Sequence, residues 1–167
     1  MYRHLLCLSL LLLSSHLVTA AEPTYRLVFL GDQAGHRPAE RFSRLAPVLD
    51  ARGIHMTYTE DVGVLTKDRL NEYDGLVLYA NIDSIKPEHA DALLEYVASG
   101  KAFVPIHSAS FCFRNDPRIV ALIGAQFQQH GTGEFETERS TESHPILDGF
   151  GGFASWDETY LHHLHNE

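Results

Sequence analysis

Four short apolar runs, each followed by a different kind of segment, constrain this chain more than any other feature of its 167 residues. They are "TYRLVFLGD" (24–32), "IHMTYTE" (54–60), "GLVLYA" (75–80) and "AFVPIH" (102–107). All are rich in β-forming side chains, and the first ends at a glycine, so they read as strands. The segments between them carry helical periodicity. "AERFSRLAPVLDARG" (39–53) sets Phe42, Leu45, Val48 and Leu49 toward one face and stops at Gly53. Thr66 is placed to cap a short helix in "TKDRLNEY". In "KPEHADALLEYVASG" (86–100), Pro87 and Glu88 open the first turn, Ala90, Leu93, Leu94 and Val97 form the inner face, and Gly100 follows the end. Pro117 opens a further helix in "DPRIVALIG". Strands alternating with helices at this spacing imply βαβ units and a mostly parallel sheet. Continuously apolar strands agree, because a parallel sheet is covered on both faces. After Gly124 the pattern changes to loop and antiparallel strand, ending at "HLHNE" inside an apparent element. From that ending the chain is expected to be a fragment of a longer protein or the product of a truncated gene model.

The first residues are of another kind. "MYRH" is basic, "LLCLSLLLLSSHLV" is apolar and "TAAEP" supplies small residues, the order of a secretory signal peptide. The apolar run is too short and wrongly flanked for a membrane span. Residues 1–21 are therefore expected to be a leader, cut near Ala20 or Ala21, with residues 22–167 as one domain in the periplasm or outside the cell. The leader removes Cys7, so Cys112 is the mature chain's only cysteine and no internal disulfide is possible. It also removes Arg3, taking the net charge from −9 to about −10. An acidic domain without a basic stripe argues against nucleic acid and against anionic membranes. A small neutral or cationic ligand, or a carbohydrate, fits better.

In open α/β sheets, ligands bind beyond the carboxyl ends of the strands. Those ends bring forward Asp32, Asn81, His107 and Ser108. His107 is the sharpest candidate, because an apolar strand delivers it into a turn of small residues, "HSAS". It suits a ligand or a general acid/base. Ser108 beside it is not placed to be a nucleophile, since adjacent side chains rarely aim at each other. Cys112, between Phe111 and Phe113, reads as a small buried hydrophobe. His36, in "GDQAGHRPAE", reads as a solvated loop residue, and the glycines there fit neither a dinucleotide nor a phosphate loop. Downstream, His130 precedes a Gly-Thr-Gly segment, and Asp157 and Glu158 sit between Trp156 and Tyr160. With His107 they make a candidate acid/base set, and His107, His130 and Glu158 a candidate divalent-metal set, although no HxxxH or HxH spacing fixes that geometry. His162, His163 and His165 in "LHHLH" read as a polar terminal strand rather than a metal tract.

From about Tyr25 onward the chain resembles the ThuA-like family, named for trehalose utilisation. The resemblance rests on "GKAFVPIHSAS", "ALIGAQFQQHGTG", "SHPILDGF" and "FASWDETY", which occur in the family's order. It implies a class I glutamine amidotransferase-like fold, a flavodoxin-like three-layer α/β sandwich. In true glutamine amidotransferases the corresponding strand delivers a cysteine nucleophile. Here His107 holds that place, so thiol chemistry and amidotransferase activity are not expected. The resemblance implies a role in the metabolism of sugars, keto-sugars or disaccharides, and the residues matching the family's motifs are His107, Ser108, His130, His144, Asp157 and Glu158. Secreted members often begin longer, multidomain proteins, some carrying c-type haem. No C-x-x-C-H motif occurs in this sequence, so no haem is expected on this part. Two functions remain open: a carbohydrate-active enzyme using His107, His130, Asp157 and Glu158, with Asp32, Asn81 and Ser108 on the substrate, or a non-catalytic carbohydrate-binding or scaffolding module.

Overall fold

The computed structural model describes residues 24–139 and 144–165. The expected leader, its cleavage point and Cys7 lie outside the described residues. The described chain opens with β1 (Tyr25–Leu30), α1 (Pro38–Asp50), β2 (Ile54–Thr59), α2 (Lys67–Leu70) and β3 (Gly75–Leu78). α3 (Pro87–Ala98), β4 (Ala102–Pro105), α4 (Pro117–Ile123), β5 (Ala125–Glu136) and β6 (Ala154–His165) follow. Single 3₁₀ turns cover Val62–Leu65, His107–Phe111 and Pro145–Leu147.

β1 to β4 form one parallel sheet in the order β2-β1-β3-β4. The direction of winding reverses at β1 and β3, which creates a crevice beyond their carboxyl ends. This is the flavodoxin-like α/β arrangement expected from the sequence. β5 and β6 form a separate antiparallel ribbon, with register shifts around Phe127.

The apolar runs are continuous because the sheet has two buried faces, and alternation divides each run between them. Val28, Leu30, Leu76 and Leu78 face a core shared with α2, α3 and α4 that includes Leu70, Leu93, Phe113 and Ile119. Phe29, Val77 and Tyr79 point the other way, with Met56, onto Phe42, Leu45, Ala46 and Leu49 of α1. Each fully buried Leu, Ile, Val or Phe contributes about 1.5–3 kcal/mol relative to exposure. Val48, expected on the inner face of α1, is 51% exposed. Residues 42, 45, 46 and 49 complete the packed stripe, and Val48 falls well round the helix from them. On α3 the buried residues are Ala90, Leu93 and Tyr96, while Leu94 and Val97 pack only partly.

The helix ends follow local chemistry. Thr66 is the N-cap of α2, but its hydroxyl makes no capping hydrogen bond. Asp116 caps α4 by accepting from the Arg118 N–H, and Gly124 ends α4 in the left-handed region at φ 93°. Gly31 is needed for a different reason. A Cβ there would stand 2.6 Å from the Tyr58 hydroxyl and 2.7 Å from Pro38 Cβ, so only glycine lets β1 pass beneath the start of α1.

Candidate functional site

The tip of β4 has an unusual backbone. His107 adopts φ 49°, one of three described non-glycine residues with positive φ. Such a conformation is sparsely populated outside glycine, with Asn, Asp and His the side chains that tolerate it best. The bend follows from Ile106 still pairing as a strand extension, its N–H donating to Leu78 O, while Ala109 N–H already donates back to Ile106 O. His107 is the residue where extended chain must become a helical turn, and the bend directs its ring away from the sheet core.

Three other segments meet that ring. Nε2 of His107 lies 3.2 Å from Glu158 Oε2, on β6. The ring of Tyr160 stacks on His107 at 4.3 Å between centroids, and His36 meets it edge-on at 4.8 Å. Tyr79, at the end of β3, stands 6.0 Å away. His130 on β5 places Nε2 3.7 Å from the other Glu158 oxygen, Oε1. The cross-strand register explains that approach, since His130 pairs with Tyr160 and Thr132 with Glu158. Glu158, Tyr160 and His162 alternate along β6, and all three, with His107 and Ser110, line a cleft of about 290 Å³.

The electrostatics favour a neutral imidazole at His107. Its pKa lies below the ordinary histidine value, first because burial penalises the imidazolium and then because His36 is adjacent. Glu158 and Asp157 pull in the opposite direction without prevailing. Tyr160 is raised by burial and then by the charge of Glu158, so its phenol stays protonated. Tyr79 is raised by burial, partly offset by a hydrogen bond with Arg41. Glu158 Oε2 is a buried atom without an aligned hydrogen-bond donor, although His107 Nε2 lies within ion-pair distance.

The remaining sequence candidates take other positions. Asp32 is half-buried, and its two oxygens accept from the backbone N–H groups of Ala34 (2.9 Å) and Asn81. It therefore ties the loop after β1 to the end of β3 across the crevice. Ser108 is fully buried and its hydroxyl has no hydrogen-bond partner. Ser110 is the serine that lines the cleft, donating to His107 O at 3.2 Å, with His162 Nε2 3.1 Å from its hydroxyl. Asp157 is exposed and accepts from the Glu158 N–H at 2.8 Å, so Glu158 is the carboxylate turned to the histidines. His144 is exposed and caps the turn at Pro145–Leu147 through Nδ1. His36 is the reverse case. Read as a solvated loop residue, it is half-buried against His107 and Tyr79. Its position depends on how the loop folds back before Pro38, which local turn chemistry does not reveal.

Cys112 is fully buried, donates to Ala80 O at 3.0 Å and accepts from the Ile82 N–H at 3.3 Å. Burial pushes its thiol up to about 12. The larger cleft of about 510 Å³, lined by Glu134, Phe135, Glu136 and Trp156, lies along the β5–β6 ribbon and includes no histidine.

The fold has counterparts among solved structures. A ThuA-like protein from Bacteroides uniformis superposes with a TM-score of 0.72 at 19% identity, over 86% of this chain and 63% of its own length. A second, from Parabacteroides merdae, gives a TM-score of 0.54 at 17% identity, over 81% of this chain and 48% of its own. The chain thus spans less than two thirds of either structure, and at these identities the likeness concerns the fold. No curated protein matches significantly. The family model described as "ThuA: Trehalose utilisation" matches residues 26–167, and on that match the chain belongs to the ThuA family.

Proposed function

We propose that this domain, in an exported protein, acts on a sugar or keto-sugar by acid–base chemistry at the tip of β4. The observation that carries this reading is the pairing of His107 with Glu158, 3.2 Å apart at the lip of the cleft. A neutral His107 accepts a proton from a substrate hydroxyl, or from a carbon next to a keto group, and Glu158 holds the resulting imidazolium. The same proton then returns to the product. His130, on the second oxygen of Glu158, orients the carboxylate, and Tyr160 fixes the plane of the His107 ring. Asp32 and Asn81 shape the crevice through their mutual hydrogen bond. Thiol chemistry has no part, because Cys112 is buried and protonated.

The trehalose utilisation family supports a carbohydrate as ligand class. The test is a panel of disaccharides and keto-sugars, scored for binding and turnover with the wild-type chain and with His107→Asn. Turnover that falls about 10²–10⁴-fold in the variant is expected for loss of a general acid/base. Equal turnover in the two proteins would sink the reading.

One observation favours a binding module instead. Trp156 is 67% exposed and shares a strand face with Glu158, where an indole can stack on a sugar ring. Sugar binding without turnover, lost in Trp156→Ala and retained in His107→Asn, would assign that role.

A further inference from the structure

Two imidazoles and one carboxylate, from three segments distant in sequence, converge beside the cleft. His36 comes from the loop after β1, His107 from the tip of β4 and Glu158 from β6. One ligand atom of each lies within 4.8 Å of the other two. We propose that His36, His107 and Glu158 hold a divalent transition-metal ion, leaving its remaining coordination positions open to substrate oxygens. This rests on the reading of the cleft as the carbohydrate site and changes the part His107 plays in it: an ion on His107 Nε2 takes the lone pair that would accept a proton, so the ion, not the imidazole, would activate the substrate oxygen.

Geometry supports it first. Metal–ligand bonds of about 2.0–2.2 Å set neighbouring ligand atoms about 3–3.5 Å apart in a tetrahedral site. His107 Nε2 and Glu158 Oε2 already stand 3.2 Å apart. His36 brings a ring nitrogen within 4.8 Å of both, and its loop is anchored on both sides, by the Asp32 carboxylate and by buried Pro38. The donors come next. Two imidazoles with one carboxylate suit Zn²⁺, Fe²⁺ or Ni²⁺, whereas Ca²⁺ and Mg²⁺ call for oxygen donors. Glu158 supplies a third and independent observation. Its Oε2 is a buried atom with no aligned hydrogen bond, His107 Nε2 standing 3.2 Å away out of line, and a cation between the two would meet it.

The neighbours are those a metal site requires. A ligating carboxylate is commonly oriented by further groups, and His130 lies 3.7 Å from Glu158 Oε1. His130, expected from the sequence to be a ligand, thus supports the carboxylate from its far oxygen, while His36 stands in the compact set.

The experiment is calorimetric titration of the full chain, stripped by a chelator, with Zn²⁺ and in parallel with Mg²⁺. One equivalent of Zn²⁺ should bind, and Mg²⁺ should not compete. His130→Ala should weaken Zn²⁺ binding about 10–100-fold, the range for a supporting group, and His36→Ala and near-isosteric Glu158→Gln should weaken it more. The chain has 11 histidines, so exposed His55→Ala serves as the control for surface imidazoles and should change nothing. Circular dichroism establishes that each variant is folded. Absence of stoichiometric binding would overturn the proposal, as would equal affinity in His36→Ala or a loss of binding in His55→Ala. The two readings separate cleanly. If Zn²⁺ fails to bind while His107→Asn still abolishes sugar turnover, the metal site falls and the acid–base reading stands. If Zn²⁺ binds through these ligands and no sugar binds or reacts, the metal site stands and the carbohydrate reading falls.

Discussion

Glu158 offers one carboxylate oxygen to each of two histidines: Oε2 lies 3.2 Å from His107 Nε2, and Oε1 lies 3.7 Å from His130 Nε2. The two imidazoles arrive from different sheets, one from the tip of β4 and one from β5. A single side chain on β6 therefore joins the parallel sheet's end to the antiparallel ribbon. Glu158→Gln should disturb both histidines, and His130→Ala only one. In the sugar assay the Glu158 variant should lose more turnover than the His130 variant, with both showing wild-type circular dichroism.

Backbone and chemistry can be separated at His107. Asn tolerates the left-handed conformation at φ 49° but cannot transfer a proton as imidazole does. His107→Asn should keep wild-type thermal stability and lose activity. His107→Val should in addition lose about 1–2 kcal/mol, because a β-branched side chain resists that backbone. Urea unfolding of the two variants checks the difference, and equal stabilities would remove the strained turn from the account.

The crevice clamp gives a third expectation. Asp32 accepts from two backbone N–H groups, and an amide presents only one oxygen with an NH₂ facing the other donor. Asp32→Asn should cost about 1–3 kcal/mol and loosen the loop that carries His36. Faster amide exchange at Ala34 and Asn81 is the measurement.

Cys112 should be chemically silent. With its thiol pushed up to about 12, it should resist alkylation at pH 8 in the folded chain and react only after unfolding. Cys112→Ser should leave ligand binding unchanged and cost at most about 1–3 kcal/mol. The pH dependence has a definite sign. The folded thiol holds its proton beyond the ordinary value of 9.0, so its contribution to stability is full below pH 9 and declines as pH rises toward 12. The stability gap between wild type and Cys112→Ser should therefore narrow over that window.

Export is tested at the N-terminus. Mass spectrometry of secreted or periplasmic protein should find processing near Ala20 or Ala21, and an intact Met1 in a soluble cytoplasmic fraction would refute it.

The architecture was legible because each strand's apolar run is long enough to serve two buried faces, as Leu76 and Val77 do from adjacent positions. The site was half legible. His107 and Glu158, which the structure brings within 3.2 Å, stood out as candidates because a strand end and a carboxylate-aromatic segment mark themselves locally. His36 was not, since its place depends on a loop folding across two strand ends. Tyr160 and His162 had a usable signal, the two-residue alternation that puts both on the face of Glu158. Ser108 and Ser110 could not be sorted without knowing which way the 3₁₀ turn rolls: the structure buries both and sets only the second against the cleft.

β4 carries His107, yet among the described residues it pairs on one side only, with β3, and its Val104 is 44% exposed. A strand held along a single edge opens more readily than the doubly paired β1 and β3. His107 is thus mounted at the end of an edge strand. Any ligand that bridges His107 to β6 would act as a second fastening. Occupancy of the cleft should therefore register as slower opening of β4, far along the strand from the atoms the ligand touches.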